Sequence, residues 1–269
     1  MHKTMTAAAL LGALGTAQAK PQRLTPRNII TALPENADGK ELKYQPLIDF
    51  DKDGCYNTAA VDPDGNVNEG HEATGTPEGD CRDAHQLENS NVYSRARCNN
   101  GYCGILYEYY FEKDQTVSGT FAGGHKHDWE NIVVFVKDDD EATEVLRVSP
   151  SCHGKYDDAL DISEGKIILK DGAHPYMVYH KDGTVGEGTT HCFRPADQED
   201  VDGPENFSGD FYRSPLVGWN GWPNDSVWQA LVDEWPSGVC PKWLDSEFEG
   251  ALRDALGDAL PEFDPALDG

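Results

Sequence analysis

The densest run of ligating side chains in the chain is Gly124-His-Lys-His-Asp-Trp-Glu130, which puts His125, His127, Asp128 and Glu130 within six residues, behind Gly123 and Gly124. Paired glycines reach turn conformations that other residues resist, and the β-branched run after the motif predicts that it continues as a strand. On an extended backbone Asp128 and Glu130 share one face, while His127 and Trp129 share the other. Two carboxylates at neighbouring same-face positions repel each other unless a proton or cation lies between them. A hard divalent cation on oxygen ligands, with His125 nearby or reached through water, satisfies this arrangement. The alternatives are a zinc site on His125 and His127, for which no third ligand is obvious nearby, and a solvated surface turn with Trp129 packed inward.

Spacing excludes several catalytic signatures. Aspartate arrives one position too early for a His-x-His-x-Asp-His metallo-hydrolase motif, and neither a His-Glu-x-x-His helix nor a Gly-x-Ser-x-Gly elbow occurs. A second acidic group, Asp49-x-Asp51-x-Asp53-Gly54, reads as the first half of a calcium loop. Its twelfth position is Ala60 where an EF-hand requires a bidentate glutamate, so an EF-hand is excluded. A looser calcium site on Asp49, Asp51 and Asp53, helped by Asp62 or Asp64, and a plain acidic turn both remain open.

The elements that must position these groups are mostly short strands. "GILYEYYFEKD", "NIVVFVKDDD", "EVLRVSPS", "KIILKDG", "HPYMVYHKDG", "HCFRP" and "SPLVGW" are rich in β-branched and aromatic residues, and several close on Asp-Gly or similar turns. They predict a mainly β, antiparallel sandwich. Two helices are expected, over "SVWQALVDEW" and "SEFEGALRDALGDAL", the second with Phe248, Leu252, Ala255, Leu256 and Ala259 on one stripe.

Residues 1–19 have a basic start, a short apolar run and an Ala17-Gln18-Ala19 ending, which reads as a signal peptide. Residues 20–269 are expected to form one exported domain with an acidic C-terminal helix and tail. Export makes disulfides the expected state of the seven cysteines. Cys98 and Cys103 can close a tight Asn-Gly loop, Cys55 and Cys81 flank a turn-rich segment, and Cys152 with Cys192 is a third pairing that leaves Cys240 odd. Asn206 and Asn224 lie in glycosylation sequons. A net charge of −26, from 48 acids against 22 bases, repels polyphosphates and anionic lipid, so nucleic-acid binding is excluded as a leading reading. Any membrane contact must use a neutral headgroup, a bridging cation or aromatic side chains.

Three segments together resemble the necrosis- and ethylene-inducing peptide 1-like proteins. That family's heptapeptide, Gly-His-Arg-His-Asp-Trp-Glu, is similar to Gly124–Glu130 with Lys126 in place of arginine, and an aromatic strand ending in Lys-Asp precedes it here as "ILYEYYFEKD". The cysteine loop, "SCHGKY", "HCFRP" and "LVGWNGWP" extend the likeness from about Leu42 to Pro223, and the cysteines at 98 and 103 resemble the calcium-associated type 2 subgroup. The resemblance implies a β-sandwich similar to actinoporins and fungal lectins. It also implies a secreted cytolysin that binds the glycosylinositol phosphorylceramide headgroup of plant sphingolipids and damages the host plasma membrane. Residue by residue, it implies a divalent cation (magnesium or calcium, with manganese as an alternative) held by Asp114, His125, Asp128 and Glu130. His127, His153 and His191 would stand around the cavity. A monomer in solution is expected, with Trp219 and Trp222 as candidate membrane contacts or, alternatively, core residues. A metal-dependent hydrolase using Asp128 or Glu130 as base, and a non-toxic lectin-like binder, are the alternative functions.

Overall fold

The computed structural model describes residues 29–119, 124–138, 143–183, 190–233, 235 and 241–268. The expected signal peptide and Cys240 lie outside the described residues. In chain order the elements are α1 (Gly39–Tyr44), β1 (Leu47–Phe50), α2 (Ala84–Glu88), β2 (Val92–Asn99), β3 (Tyr102–Asp114), β4 (His125–Asp138), β5 (Thr143–Pro150), β6 (Leu160–Asp161), β7 (Leu169–Lys170), β8 (His174–Asp182), β9 (Thr190–Pro195), α3 (Gln198–Asp202), β10 (Leu216–Gly218), α4 (Asp225–Asp233) and α5 (Phe248–Leu256). The seven expected strands all overlap observed ones, although "KIILKDG" forms only the two-residue β7. β1 and the short capped helices carry too little periodic sequence to stand out. α5 is shorter than expected because Gly257, at φ +57°, breaks it after Leu256.

Two sheets form the body. One has the order β10-β2-β3-β4-β5-β6, and in the other β8 pairs with β1, β7 and β9. The expected antiparallel pattern holds except for β1 with β8 and β10 with β2, which are parallel. A left-handed pair, Asn100 and Gly101 at φ +51° and +82°, turns β2 into β3 and brings Cys98 opposite Cys103.

The centre of the large sheet is buried on both faces, which explains its unbroken apolar text. Ile105, Tyr107, Tyr109 and Phe111 of β3, with Ile132 and Val134 of β4, meet the small sheet in one core cluster. Their alternates Leu106, Tyr110, Trp129, Val133 and Phe135 face a second cluster supplied by α4, α5 and the tryptophans. Trp219 and Trp222 belong to this second cluster. Trp222 stacks on Tyr93 at 5.7 Å, and Arg95 lies 3.7 Å above the Trp219 ring. Both rings are partly buried: they pack against the apolar outer face of the sheet and keep part of their surface exposed.

The structure joins Cys55 to Cys81, Cys98 to Cys103 and Cys152 to Cys192. The Cys55–Cys81 segment is further pinned to the sandwich by Arg82, which donates to the Phe50 and Gly54 carbonyls, and by the buried Lys113, which donates to the Thr76 carbonyl at 2.9 Å. Among the described residues no helix is long and apolar enough to cross a membrane.

Candidate functional site

Where β4 enters the large sheet, its inner face changes from apolar to acidic. Ile132 and Val134 pack between the sheets, and the same alternation carries back to Glu130 and Asp128, which pair in register with Tyr109 and Phe111. Asp114 ends β3 opposite His125. Gly124 makes that approach possible: it sits at φ +128°, and a Cβ there would lie 2.5 Å from the Asp114 carbonyl oxygen. β9 adds Thr190 and His191, and the segment after β5 adds Ser151 and His153. The resulting cavity has a volume of 480 Å³ and is lined by His125, Asp128, Trp129, Glu130, Asn131, Ser151, His153, Gly154, Thr190, Lys242 and Glu247.

The three carboxylates are bound into the protein unequally. Asp114 accepts from the Thr190 hydroxyl at 2.6 Å and from His191 Nδ1 at 2.7 Å. Burial raises its pKa, but the hydrogen bonds and charge of His191, with Thr190, outweigh that and hold it below the usual carboxylate value. Burial, followed by the charge of Asp114, lifts Asp128 to about 7. Burial and the charge of Asp128 push Glu130 well above its ordinary value, opposed by the hydroxyl of Ser151, which donates to Glu130 Oε2. Asp128 Oδ2 is buried without a hydrogen-bond partner.

A buried acceptor with no donor, beside two further carboxylates, fits positive charge supplied from outside the chain. Three of the four candidate ligands are hard carboxylate oxygens and His125 is the one nitrogen, a mixture that leans toward magnesium, calcium or manganese rather than zinc. Among the described residues, ligand atoms converge within 4.8 Å of one another only at Cys152, His153, Asp182 and Cys192, and at Cys98, Cys103 and Asp138. Both groups have their sulfurs joined in disulfides, so neither offers thiolate ligands. The ligand atoms of Asp114, His125, Asp128 and Glu130 do not all converge within that spacing.

The remaining expected site residues fall in different places. His125 stands at the exposed rim, with Nδ1 donating to the His127 carbonyl at 2.7 Å and Nε2 4.0 Å from Asp128 Oδ1. His153 is also at the rim, with Nε2 3.3 Å from Asp182. His191 is buried behind Asp114, stacked on Tyr179 at 5.3 Å. His127 is not among the cavity-lining residues: it shares a 2.7 Å hydrogen bond with the Tyr110 hydroxyl and packs against Trp235, as expected for the face opposite Asp128. Lys126 points toward Glu72 at 3.8 Å rather than into the cavity.

The candidate calcium set separates. Asp49 is consumed by the backbone, accepting from the Glu205 amide at 2.8 Å and the Asn206 amide at 3.0 Å. Burial raises Asp51 to about 6 against the charge of Arg194, and Asp53 turns toward His191 at 3.9 Å. β1 ends at Phe50 and the chain turns at once, with the Gly54 amide donating to the Asp51 carbonyl, so Asp51 and Asp53 leave the strand face that Asp49 occupies.

Sequence reasoning missed Ser151, Thr190, Lys242 and Glu247. Thr190 adjoins the expected His191 and Ser151 adjoins Cys152, so proximity to cysteine and histidine motifs was a usable signal. Lys242 and Glu247, paired at 2.8 Å, reach the cavity from a distant C-terminal segment and leave no local mark.

The profile described as "Necrosis inducing protein (NPP1)" matches residues 38–255. The chain belongs to this necrosis-inducing protein family. Family members that it resembles include the necrosis-inducing protein NPP1 of Phytophthora nicotianae, 38% identical over 116 residues, which is 43% of this chain and 46% of that protein. NLP effector protein 7 of Phytophthora capsici is 25% identical over 215 residues, 80% of this chain and 60% of that protein. The strongest of these matches span about half the length of the curated relatives. Among solved structures, necrosis and ethylene inducing protein 2 from the causal agent of cocoa's witches' broom disease is 26% identical, with a TM-score of 0.68 over 84% of this chain and 94% of that one. The non-toxic HaNLP3 protein is also 26% identical, with a TM-score of 0.64 over 84% of this chain and 96% of that one. NLPPya in complex with mannosamine is 25% identical, with a TM-score of 0.66 over 84% and 95%. The fold matches the one described for a solved relative as a toxin fold and basis for microbial attack and plant defence, and several curated relatives are named as effector proteins.

Proposed function

We propose that this necrosis-inducing protein is a secreted, cation-assisted cytolysin that binds the sugar headgroup of plant glycosylinositol phosphorylceramides and then damages the plasma membrane. The observation that carries the reading is the partnerless, buried oxygen of Asp128, a residue that lines a 480 Å³ cavity together with Glu130 and lies in the field of Asp114 just behind the lining. A bound divalent cation would supply Lewis-acid contacts to vicinal hydroxyls. Asp128 and Glu130 would hold it from the lining, with His125 at the rim and Asp114, behind the lining, as the further carboxylate. His191 and Thr190 keep Asp114 ionised and oriented, and Ser151 holds Glu130 Oε2, so the carboxylates present a fixed face to the cavity. The cavity admits a hexose-sized group, in keeping with the mannosamine complex of NLPPya. The protein is proposed to act as a monomer before reaching the membrane.

The deciding experiment is dye leakage from glycosylinositol phosphorylceramide vesicles, with wild type, Asp128→Ala and wild type plus chelator. Leakage by wild type that both changes abolish supports the reading; leakage indifferent to both sinks the cation mechanism. A second reading, binding without perforation, is favoured by the likeness to the non-toxic HaNLP3 protein. Cation-dependent vesicle binding with no leakage would establish it instead.

A further inference from the structure

Trp219 and Trp222 are partly buried, and the exposed large hydrophobic side chains among the described residues are Phe207 at 48% and Leu267 at 47%. Leu267 lies near the C-terminus. Phe207 occupies a turn closed by the Gly209 amide donating to the Asn206 carbonyl at 2.9 Å.

Single exposed hydrophobic residues are ordinary on protein surfaces, so exposure alone carries little. What distinguishes Phe207 is how its base is held. Asp49 accepts the Glu205 and Asn206 amides, and Asn206 Nδ2 donates to the Ile48 and Asp210 carbonyls at 2.9 Å each. The Phe207 amide donates to the Tyr56 hydroxyl at 2.9 Å, and Lys52 Nζ pairs with Glu205 at 2.8 Å. The polar groups of the turn are directed inward, while the ring is half exposed and meets the Tyr56 ring edge-on at 6.3 Å. Asn206 is buried, so the sequon at this position is closed in the folded protein and the ring stays free of a neighbouring glycan.

The position of the turn is equally informative. The Asp51–Gly54 turn is strapped to it by Lys52 and, through Arg82, by bonds to the Gly54 and Glu205 carbonyls. On its other side Gly54 packs under the His191 ring, where a Cβ would lie 3.1 Å from Cδ2, and His191 holds Asp114 behind the cavity lining. One turn therefore separates the exposed ring from the cavity. The surrounding Asp51, Glu205 and Asp210, in a chain of charge −26, give no electrostatic attraction to anionic lipid. Apolar insertion is the contact that remains for a membrane surface at this end.

We infer that Phe207 is a membrane anchor, inserting its ring into the interfacial layer of a bilayer whose glycosylated headgroup occupies the neighbouring cavity. The inference rests on the proposed function and adds to it a contact that the cavity does not supply. Aromatic side chains favour the membrane interface, and a rigid turn loses little freedom when the ring inserts.

The test is flotation with phosphatidylcholine vesicles, with and without glycosylinositol phosphorylceramide, using wild type, Phe207→Ala, Phe207→Trp and Leu267→Ala. Binding is measured below the melting temperature of every variant, with gel filtration of each protein in parallel. Phe207→Ala is expected to bind the glycolipid vesicles roughly tenfold more weakly, with Phe207→Trp and Leu267→Ala close to wild type. Unchanged binding by Phe207→Ala, when wild type binds, overturns the anchor and leaves the headgroup reading intact. Wild type that binds neither vesicle overturns both. A wild-type dimer that Phe207→Ala converts to monomer assigns the ring to a contact between copies and also overturns the anchor.

Discussion

Asp49 lies in β1 with Asp51 and Asp53 in the turn just after it, whereas Asp114, Asp128 and Glu130 come from two strands that meet in the large sheet. The first group has the more familiar spacing for calcium, yet its members separate: Asp49 goes to backbone amides, Asp51 lies in the field of Arg194, and Asp53 turns toward His191. The second group has an irregular spacing and becomes the electrostatic cluster, with Asp114 raising the pKa of Asp128 and both raising that of Glu130. The number of acids does not distinguish them. The difference is whether local donors satisfy the oxygens, and only Asp128 among these six keeps a buried oxygen without a partner.

The largest expected effect breaks the comparison on the structural side. Asp49→Ala strands the amides of Glu205 and Asn206 and should lower stability by about 3 kcal/mol in urea melts, with no dependence on added divalent cation. A loss that magnesium or calcium restores would return Asp49 to the ligand class. On the cavity side, saturating magnesium at about 100 times its dissociation constant should stabilise wild type by about 2–3 kcal/mol, an effect reversed by chelator and absent in Asp128→Asn. Equal cation-induced shifts in calorimetry for the two proteins would remove Asp128 from the site.

Glu108 sharpens the contrast as a buried acid outside both groups. Its carboxylate is fully buried, and burial lifts its pKa from 4.5 to about 8, opposed by a backbone hydrogen bond from Lys242 and by the charge of that lysine. The folded protein thus holds this proton where the unfolded chain has released it. The associated stability is fully present below pH 4.5 and is lost as pH rises through about 8, by about 1 kcal/mol per unit. Glu108→Gln should remove this contribution, so that the variant gains on wild type between pH 5 and 8 in parallel urea melts; identical slopes would show that Glu108 does not carry it. The smallest effect is expected at Lys126. Because it faces exposed Glu72 at 3.8 Å, Lys126→Arg should change stability by less than about 0.5 kcal/mol and leave the cation response alone. A several-fold change in vesicle leakage would instead show that the position meets the ligand.

Much of this was legible because local chemistry determined it. Alternation in "GILYEYYFEKD" and "NIVVFV" specifies strands whatever surrounds them, and on an extended backbone Asp128 must share a face with Glu130 and oppose His127. The heptapeptide, with the aromatic strand before it, was enough to point to the family. Other features carry no local mark because they depend on how distant segments meet. The side chains of Trp219 and Trp222 are as compatible with a membrane as with a core until α4, α5 and Tyr93 close around them. The parallel pairing of β1 and β10 requires long connections that no short window encodes. The sequence by itself determined which residues can bind a hard cation. Only the tertiary structure decided which of them do not already have a donor, because that depends on the amides, hydroxyls and imidazoles that other strands bring within hydrogen-bonding distance.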